Sequence, residues 1–262
     1  MPNRTALVTG ATDGLGRAVA GELAADGWTV LLHGRDEGRG QAALEAVGGD
    51  ARLYLADLAS LDEVRALADA VLGAEQRLDV LVNNAGIGGS GPREKSRDGY
   101  ELRFAVNYLA GYALTRRLLG LLRSSAPARI VNVASGGQAP IDFDDVMLED
   151  GYDGWDAYRQ SKLAQVLFTF DLADELRGTG VTATCLHPAT FMPTKMVTEG
   201  GIAPVSTLEQ GVEATLRLIR DPALEGVSGV YFNGTTAARA DGQAYDPDAR
   251  RRLRELSDRL TS

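Results

Sequence analysis

Short apolar runs alternate along the chain with longer stretches whose apolar residues recur every three or four positions. The short runs read as strands at Ala6–Thr9, Thr29–His33, Arg52–Leu55, Val80–Val82, Arg129–Ala134, Val181–Leu186 and Gly229–Phe232. Apolar segments of this length, bounded by turn residues, fit strands buried on both faces. The helical spacing places helices near Leu15–Asp26, Asp36–Val47, Leu61–Gly73, Gly99–Leu122, Trp155–Arg177, Thr207–Arg220 and Asp248–Leu260. Strand and helix in alternation predict an α/β fold, a parallel sheet covered on both faces. Right-handed crossovers would make it doubly wound. No linker interrupts the rhythm, so residues 1–262 read as a single domain. Two segments do break it. Residues 136–154 form an acidic, glycine-containing insertion, and residues 188–206 form a loop holding Pro188, Pro193 and Pro204. Both follow strand C-terminal ends, where open α/β sheets bind ligands. Loops this long often serve as lids, so 188–206 is expected to meet substrate.

Composition narrows the classes of function. The net charge of −9 argues against nucleic-acid or anionic-membrane binding, so any cationic site must be local. No apolar run approaches a membrane span, and the first residues enter a strand without a signal-peptide pattern. The single cysteine, Cys185, excludes an internal disulfide. A cytoplasmic protein is expected.

The first chemical signal is the turn Thr9-Gly10-Ala11-Thr12-Asp13-Gly14-Leu15-Gly16. It follows an apolar strand and opens an amphipathic helix, the setting in which backbone N–H groups receive a pyrophosphate. Gly10 permits the sharp exit from the strand, Gly14 removes a Cβ near the pyrophosphate, and Gly16 lets helix and sheet approach closely. Elsewhere such a turn is merely glycine-rich; its place after the first strand is what points to a dinucleotide. The second strand ends Leu32-His33-Gly34-Arg35-Asp36. No acid stands at its end to hold ribose hydroxyls, and Arg35 can clamp a 2′-phosphate, so NADP is expected over NAD. Asp36 reads as a helix cap. His33, His187 and Cys185 read as structural residues, His33 and His187 at strand ends and Cys185 as a small buried one.

The second signal is Tyr158 with Lys162, four residues apart on one helical face. Such a pair usually means packing and a solvated tail. A free phenol has a pKa of ~10 and is a poor base at neutral pH. A nearby ammonium and an oxidised nicotinamide both favour phenolate; a drop of ~3 units corresponds to about 4 kcal/mol.

Taken together these features resemble a short-chain dehydrogenase/reductase of the compact, single-domain type. The resemblance spans nearly the whole chain. It rests on Thr9–Gly16, Asp57-Leu58, Asn83-Asn84-Ala85-Gly86, Asn107, Ser135 and Tyr158–Lys162, in the family's order. It implies a Rossmann fold of seven parallel strands in the order 3-2-1-4-5-6-7. It implies that Tyr158 is the acid in reduction and the base in oxidation, and that Lys162 also holds the nicotinamide ribose. Ser135 would donate to the carbonyl oxygen, and Asn107 would bind a water linking Lys162 to solvent. Gly10, Thr12, Asp13, Gly14, Leu15, Gly16 and Arg35 would hold the cofactor, with Asp57 on the adenine amino group. Leu58, Asn83, Ala85 and Gly86 would border adenosine, and Pro188 and Thr190 would lie near the nicotinamide. No metal is implied.

Ser135 precedes Tyr158 by 23 positions. That gap, and Arg35-Asp36, resemble the retinol-dehydrogenase-like and protochlorophyllide-reductase-like branch, whose members mostly use NADP. The insertion's Phe143, Met147 and Tyr152, with Trp155 beyond, are expected to line an apolar pocket. One departure is Pro188-Ala189, where the family usually has Pro-Gly. The favoured function is hydride transfer between NADP and a ketone, aldehyde or secondary alcohol of apolar or aromatic character. A cyclase, epimerase or dehydratase on the same scaffold, or a non-catalytic NADP-sensing module, are the alternatives. The resemblance also implies a homodimer or homotetramer through the Asn107 and Tyr158 helices.

Overall fold

The first apolar run is paired on both sides. In the computed structural model, β1 (Thr5–Val8) lies between β2 (Thr29–Gly34) and β4 (Val80–Asn83), with Leu7 opposite Leu31 and Leu81. Residues 4–198, 200, 201 and 203–262 are described; Met1–Asn3 of the expected domain, and Glu199 and Ile202 of the expected substrate loop, lie outside the described residues. β3 (Asp50–Leu55) flanks β2, and β5 (Ala128–Val133), β6 (Val181–His187) and β7 (Val230–Asn233) extend the sheet beyond β4, all parallel.

Among the described residues the sheet has eight strands rather than the expected seven, in the order 3-2-1-4-5-6-7-8. The extra strand, β8 (Thr236–Ala238), pairs antiparallel with β7. Its cause is a two-residue hairpin, Gly234-Thr235, with Gly234 at φ +58°. Glycine at the first central position of such a turn accepts positive φ at no steric cost.

Successive side chains of a strand point to opposite faces, and β1 is divided in this way between two cores. Ala6 and Val8 join a core cluster with Leu15, Val19 and Leu23 of α1 (Gly14–Ala25), Leu44 of α2 (Glu37–Val47) and Ile219 of α7 (Leu208–Arg220). Leu7 faces the other way, into a larger cluster with α3 (Leu61–Ala74), α4 (Ala110–Ser124) and α5 (Gly154–Glu175). Side-chain caps fix where helices begin: Asp36 accepts from Arg39 N, Asp153 from Trp155 N, and Thr207 forms a reciprocal box with Gln210. The helix expected from Gly99 starts later. Gly99 stays in a turn at φ +88°, and a wide π-type turn, Phe104–Leu109, leads into α4. In the 188–206 loop one short helix, α6 (Lys195–Thr198), is formed.

The last helix, α8 (Pro247–Thr261), lies across α5 and the start of α4. Tyr108 Oη meets Ser257 Oγ at 2.6 Å, Tyr112 donates to Asp258, and Arg254 and Arg250 pair with Asp171 and Asp174 of α5. The helix faces named for association are therefore partly covered by the chain itself. No helix among the described residues is long and apolar enough to cross a membrane.

Candidate active site

The C-terminal ends of β1, β2, β4, β5 and β6 open onto one cleft of about 790 Å³. It gathers Gly10, Thr12, Asp13, Gly14, Leu15, Gly16, Arg35, Asp57, Leu58, Ala85, Gly86, Ser135, Tyr158, Lys162, Pro188 and Thr190. These are sixteen of the eighteen expected site residues; Asn83 and Asn107 do not line it.

The glycine turn is held by packing that only glycine allows. Gly10 has φ +65°, and a Cβ on it would lie 2.9 Å from Ala85 Cα. A Cβ on Gly16 would lie 2.4 Å from the Gly10 carbonyl oxygen. Thr9 Oγ1 accepts from the Asn84 and Ala85 N–H groups, and Asn84 Nδ2 donates back to the Thr9 carbonyl at 2.8 Å. His33 is more than the strand-end filler expected of it. Its ring is buried, with Nδ1 3.2 Å from Gly10 N and Nε2 3.0 Å from the Ala56 carbonyl. Burial pushes this imidazole below its usual pKa, against the opposing pull of the Ala56 carbonyl and Asp57. The neutral ring thus accepts from Gly10 and donates to Ala56, tying the turn to the end of β3.

At the mouth of the turn Asp13 caps α1 through Gly14 N at 2.8 Å, while its other oxygen lies 3.2 Å from both Arg39 and Lys195. Burial raises this carboxyl, but the Gly14 N–H and the two cations outweigh it and hold the group below its usual value. Arg39 also lines the cleft, one helical turn beyond Arg35. Arg35 forms no ion pair among the described residues and is exposed. Asp57 accepts from Ala59 N, and its carboxylate lies 3.7 Å from Arg97.

Asn83 corrects the sequence reading. Its side chain points into the core, donating to Thr115 Oγ1 and to Asn132 Oδ1 at 2.9 and 2.8 Å. Its neighbour Asn84 faces the cleft instead. Asn107 lies behind the cleft wall, where its side chain and Lys162 both approach Gly86. Its side chain accepts from Ile87 N at 2.7 Å and donates to the Ile87 carbonyl and Ser161 Oγ, so it braces the backbone after β4.

Ser135 follows β5; its Oγ accepts from Gly137 N, and Tyr231 Oη donates to its carbonyl. Tyr158 stands beside it on α5. Burial raises the Tyr158 phenol above its usual pKa, with the Ser135 hydroxyl pulling the other way. Lys162 is almost entirely enclosed, and its Nζ donates to the Val133 carbonyl and to Gln165 Oε1, each at 2.9 Å. Burial pushes the ammonium down to about 7. The Lys162 nitrogen lies 5.8 Å from the Tyr158 ring centre. In the protein alone, then, burial outweighs the pull of the Ser135 hydroxyl and the phenol keeps its proton at neutral pH.

Past β6, Thr190 Oγ1 lies 2.9 Å from His187 Nε2, and Thr194 packs against Gly14. The apolar wall is Ile87, Trp155, Phe191 and Met196. The Trp155 ring meets Tyr158 edge-on at 5.9 Å. Phe143, Met147 and Tyr152 do not line the cleft, contrary to the sequence reading. Phe143 and Met147 pack on the main core, and Tyr152 bonds Glu101 and the buried Arg103. Arg103 also donates to the carbonyls of Gly88, Ser90 and Pro92, so this pair fastens the insertion to the β4 loop.

Comparison with known proteins gives the same picture. The family model described as short chain dehydrogenase matches residues 4–201. Retinol dehydrogenase 14 of Homo sapiens is 38% identical over 98% of this chain and 86% of its own length. The crystal structure of an uncharacterised protein from Mycobacterium paratuberculosis aligns with a TM-score of 0.83 at 32% identity, covering 98% of this chain and 93% of the other. The Pseudomonas aeruginosa RhlG/NADP active-site complex aligns with a TM-score of 0.72 at 27% identity, over 88% and 94%.

Proposed function

The chain belongs to the short chain dehydrogenase family, an NAD(P)-dependent dehydrogenase/reductase of its retinol-dehydrogenase-like branch, and on that premise we propose that it moves hydride between NADP and an apolar ketone, aldehyde or alcohol. The observation that carries the proposal is the meeting of Ser135, Tyr158 and Lys162 with the glycine turn in one cleft.

The residues fit the cofactor. The turn leaves no space for a Cβ at Gly10 or Gly16 and presents the N-terminus of α1. Arg35 and Arg39, both lining the cleft, would receive the 2′-phosphate that distinguishes NADP from NAD. NADP, when bound, supplies or accepts the hydride. Tyr158, protonated at neutral pH, delivers its proton to the carbonyl oxygen, and Ser135 donates a hydrogen bond to that oxygen as charge develops. Two of the three Lys162 N–H groups are committed to Val133 and Gln165; the third serves the ribose. The name of the human relative specifies an apolar alcohol, and the wall of Ile87, Trp155, Phe191 and Met196 suits that class. The one cysteine, buried and with its thiol pushed up to about 12 by burial, suits a reducing cytoplasm.

Tyr158→Phe tests the proposal. Turnover is expected to fall by about 10²–10⁴-fold, while NADP binding, read by fluorescence titration, stays within a few-fold. Turnover that survives nearly undiminished on every accepted substrate would remove the phenol from the chemistry.

A further inference from the structure

Lys162 is buried with no ion pair among the described residues. Its charge is met by two neutral oxygens, the Val133 carbonyl and Gln165 Oε1. The first is backbone and would be there whatever the sequence. The second is a chosen side chain. Gln165 lies three residues beyond Lys162, so the two share one face of α5. It is 4% exposed, among Leu163, Ala164, Val166 and Leu167. A buried amide costs stability unless its polar atoms are paired, and an aliphatic side chain would pack there without that cost.

The other buried glutamine of α5 has a structural explanation. Gln160 accepts from Asp142 N and donates to the Val146 carbonyl, stitching down the insertion. Gln165 makes no such bond among the described residues; its side-chain oxygen has Lys162 as its partner. Its backbone is braced from below. The Gln165 carbonyl accepts from Thr169 Oγ1, which accepts from Asn132 Nδ2, whose Oδ1 accepts from Asn83 Nδ2. This row of buried polar groups runs from beneath the cleft to Thr115 of α4.

We propose that Gln165 is a positioning residue for Lys162: its amide oxygen aims the ammonium at the cleft and keeps it protonated. The inference rests on the reading of Tyr158 and Lys162 as the proton-handling pair. The groups that titrate beside Lys162 are Tyr158 on its own helix and His187 at the end of β6. The π-type turn and β5 bring only neutral groups, Asn107 and the Val133 carbonyl. Gln165 is therefore the side chain through which the proton affinity of Lys162 can be tuned without touching the cleft.

The test is the pH profile of carbonyl reduction by the full chain with NADPH, for wild type, Gln165→Met and Gln165→Glu. Reduction needs both Tyr158 and Lys162 protonated, so the alkaline limb reports the first proton lost by the pair. Gln165→Met removes an acceptor from a charged donor and is expected to move that limb about one pH unit lower. Gln165→Glu places a carboxylate there and is expected to move it higher. Opposite shifts, with KM for cofactor changing less than kcat, support the positioning role. A lowered melting temperature with unmoved limbs in both variants would overturn it and leave Gln165 a packing residue. Lys162→Met and Tyr158→Phe serve as controls: if these two retain turnover, the pair itself is misassigned; if they lose it while the Gln165 limbs stay fixed, only the present inference falls.

Discussion

One imidazole shows how much a single side chain can decide. His33 uses both ring nitrogens, one toward Gly10 and one toward Ala56, and only the neutral ring can do so. Burial keeps it neutral in the folded protein to a lower pH than in the unfolded chain. Between the unfolded value of about 6.5 and that lower folded value, the unfolded chain binds more protons. Stability contributed by His33 is therefore full above that window and is lost as pH falls through it. Denaturant titrations at pH 7.5 and 5.5 are expected to show the wild type losing stability relative to His33→Gln, by up to about 1.4 kcal/mol per pH unit. A difference that does not change with pH would refute the clamp. The sequence could show a histidine at a strand end, but its partners lie 23 residues away on neighbouring segments. Asn83 and Asn84 teach the same lesson. Both stand in the recognised motif; Asn83 ends β4 facing the core, while the chain turns at Asn84, whose N–H reaches back to the Val82 carbonyl and which lines the cleft.

At the scale of elements, the proposed preference for NADP rests on the β2–α2 connection. Arg35 was legible because it follows a strand end. Arg39 was not, because only the formed helix, capped at Asp36, turns a side chain of its first turn toward the same cleft. Replacing both by serine is expected to raise KM for NADP by about 100-fold or more, since two charge-assisted bonds to phosphate, each worth about 1.5–3 kcal/mol, are lost. KM for NAD should change by no more than a few-fold. Equal losses for the two cofactors in steady-state assays would withdraw the NADP assignment. The insertion was legible as a break in rhythm, and its aromatic residues suggested a pocket. What turns Tyr152 away from the cleft is the buried Arg103–Glu101 pair, with 3.5 Å between the charged groups. Those residues lie about fifty positions upstream, and nothing in local spacing announces them.

Across the whole molecule, the parallel sheet covered on both faces followed from alternation and its strand order from the family resemblance, while the antiparallel edge and the placement of α8 did not. As sequence alone, Arg250, Arg251, Arg252, Arg254 and Arg259 of α8, interspersed with Asp248, Glu255 and Asp258, read as a solvated helix surface. Several instead hold the helix down: Arg250 and Arg254 on α5, and Arg252 over the Phe143 ring at 4.5 Å. Deleting residues 246–262 is expected to expose Tyr108, Tyr112 and Phe168, and to produce larger species than the full chain in sedimentation velocity at equal concentration. An unchanged mass distribution would show that this face has no tendency to associate. The segment leading to α8 also reaches the insertion, where Gln243 bonds both the N–H and the carbonyl of Ile141, and Gln138 accepts from Asp241 N. Every residue proposed to touch cofactor or substrate has left the ribosome before Gln243 does. A nascent chain halted there would hold every one of those residues yet lack the bonds that tie the insertion to the end of the chain.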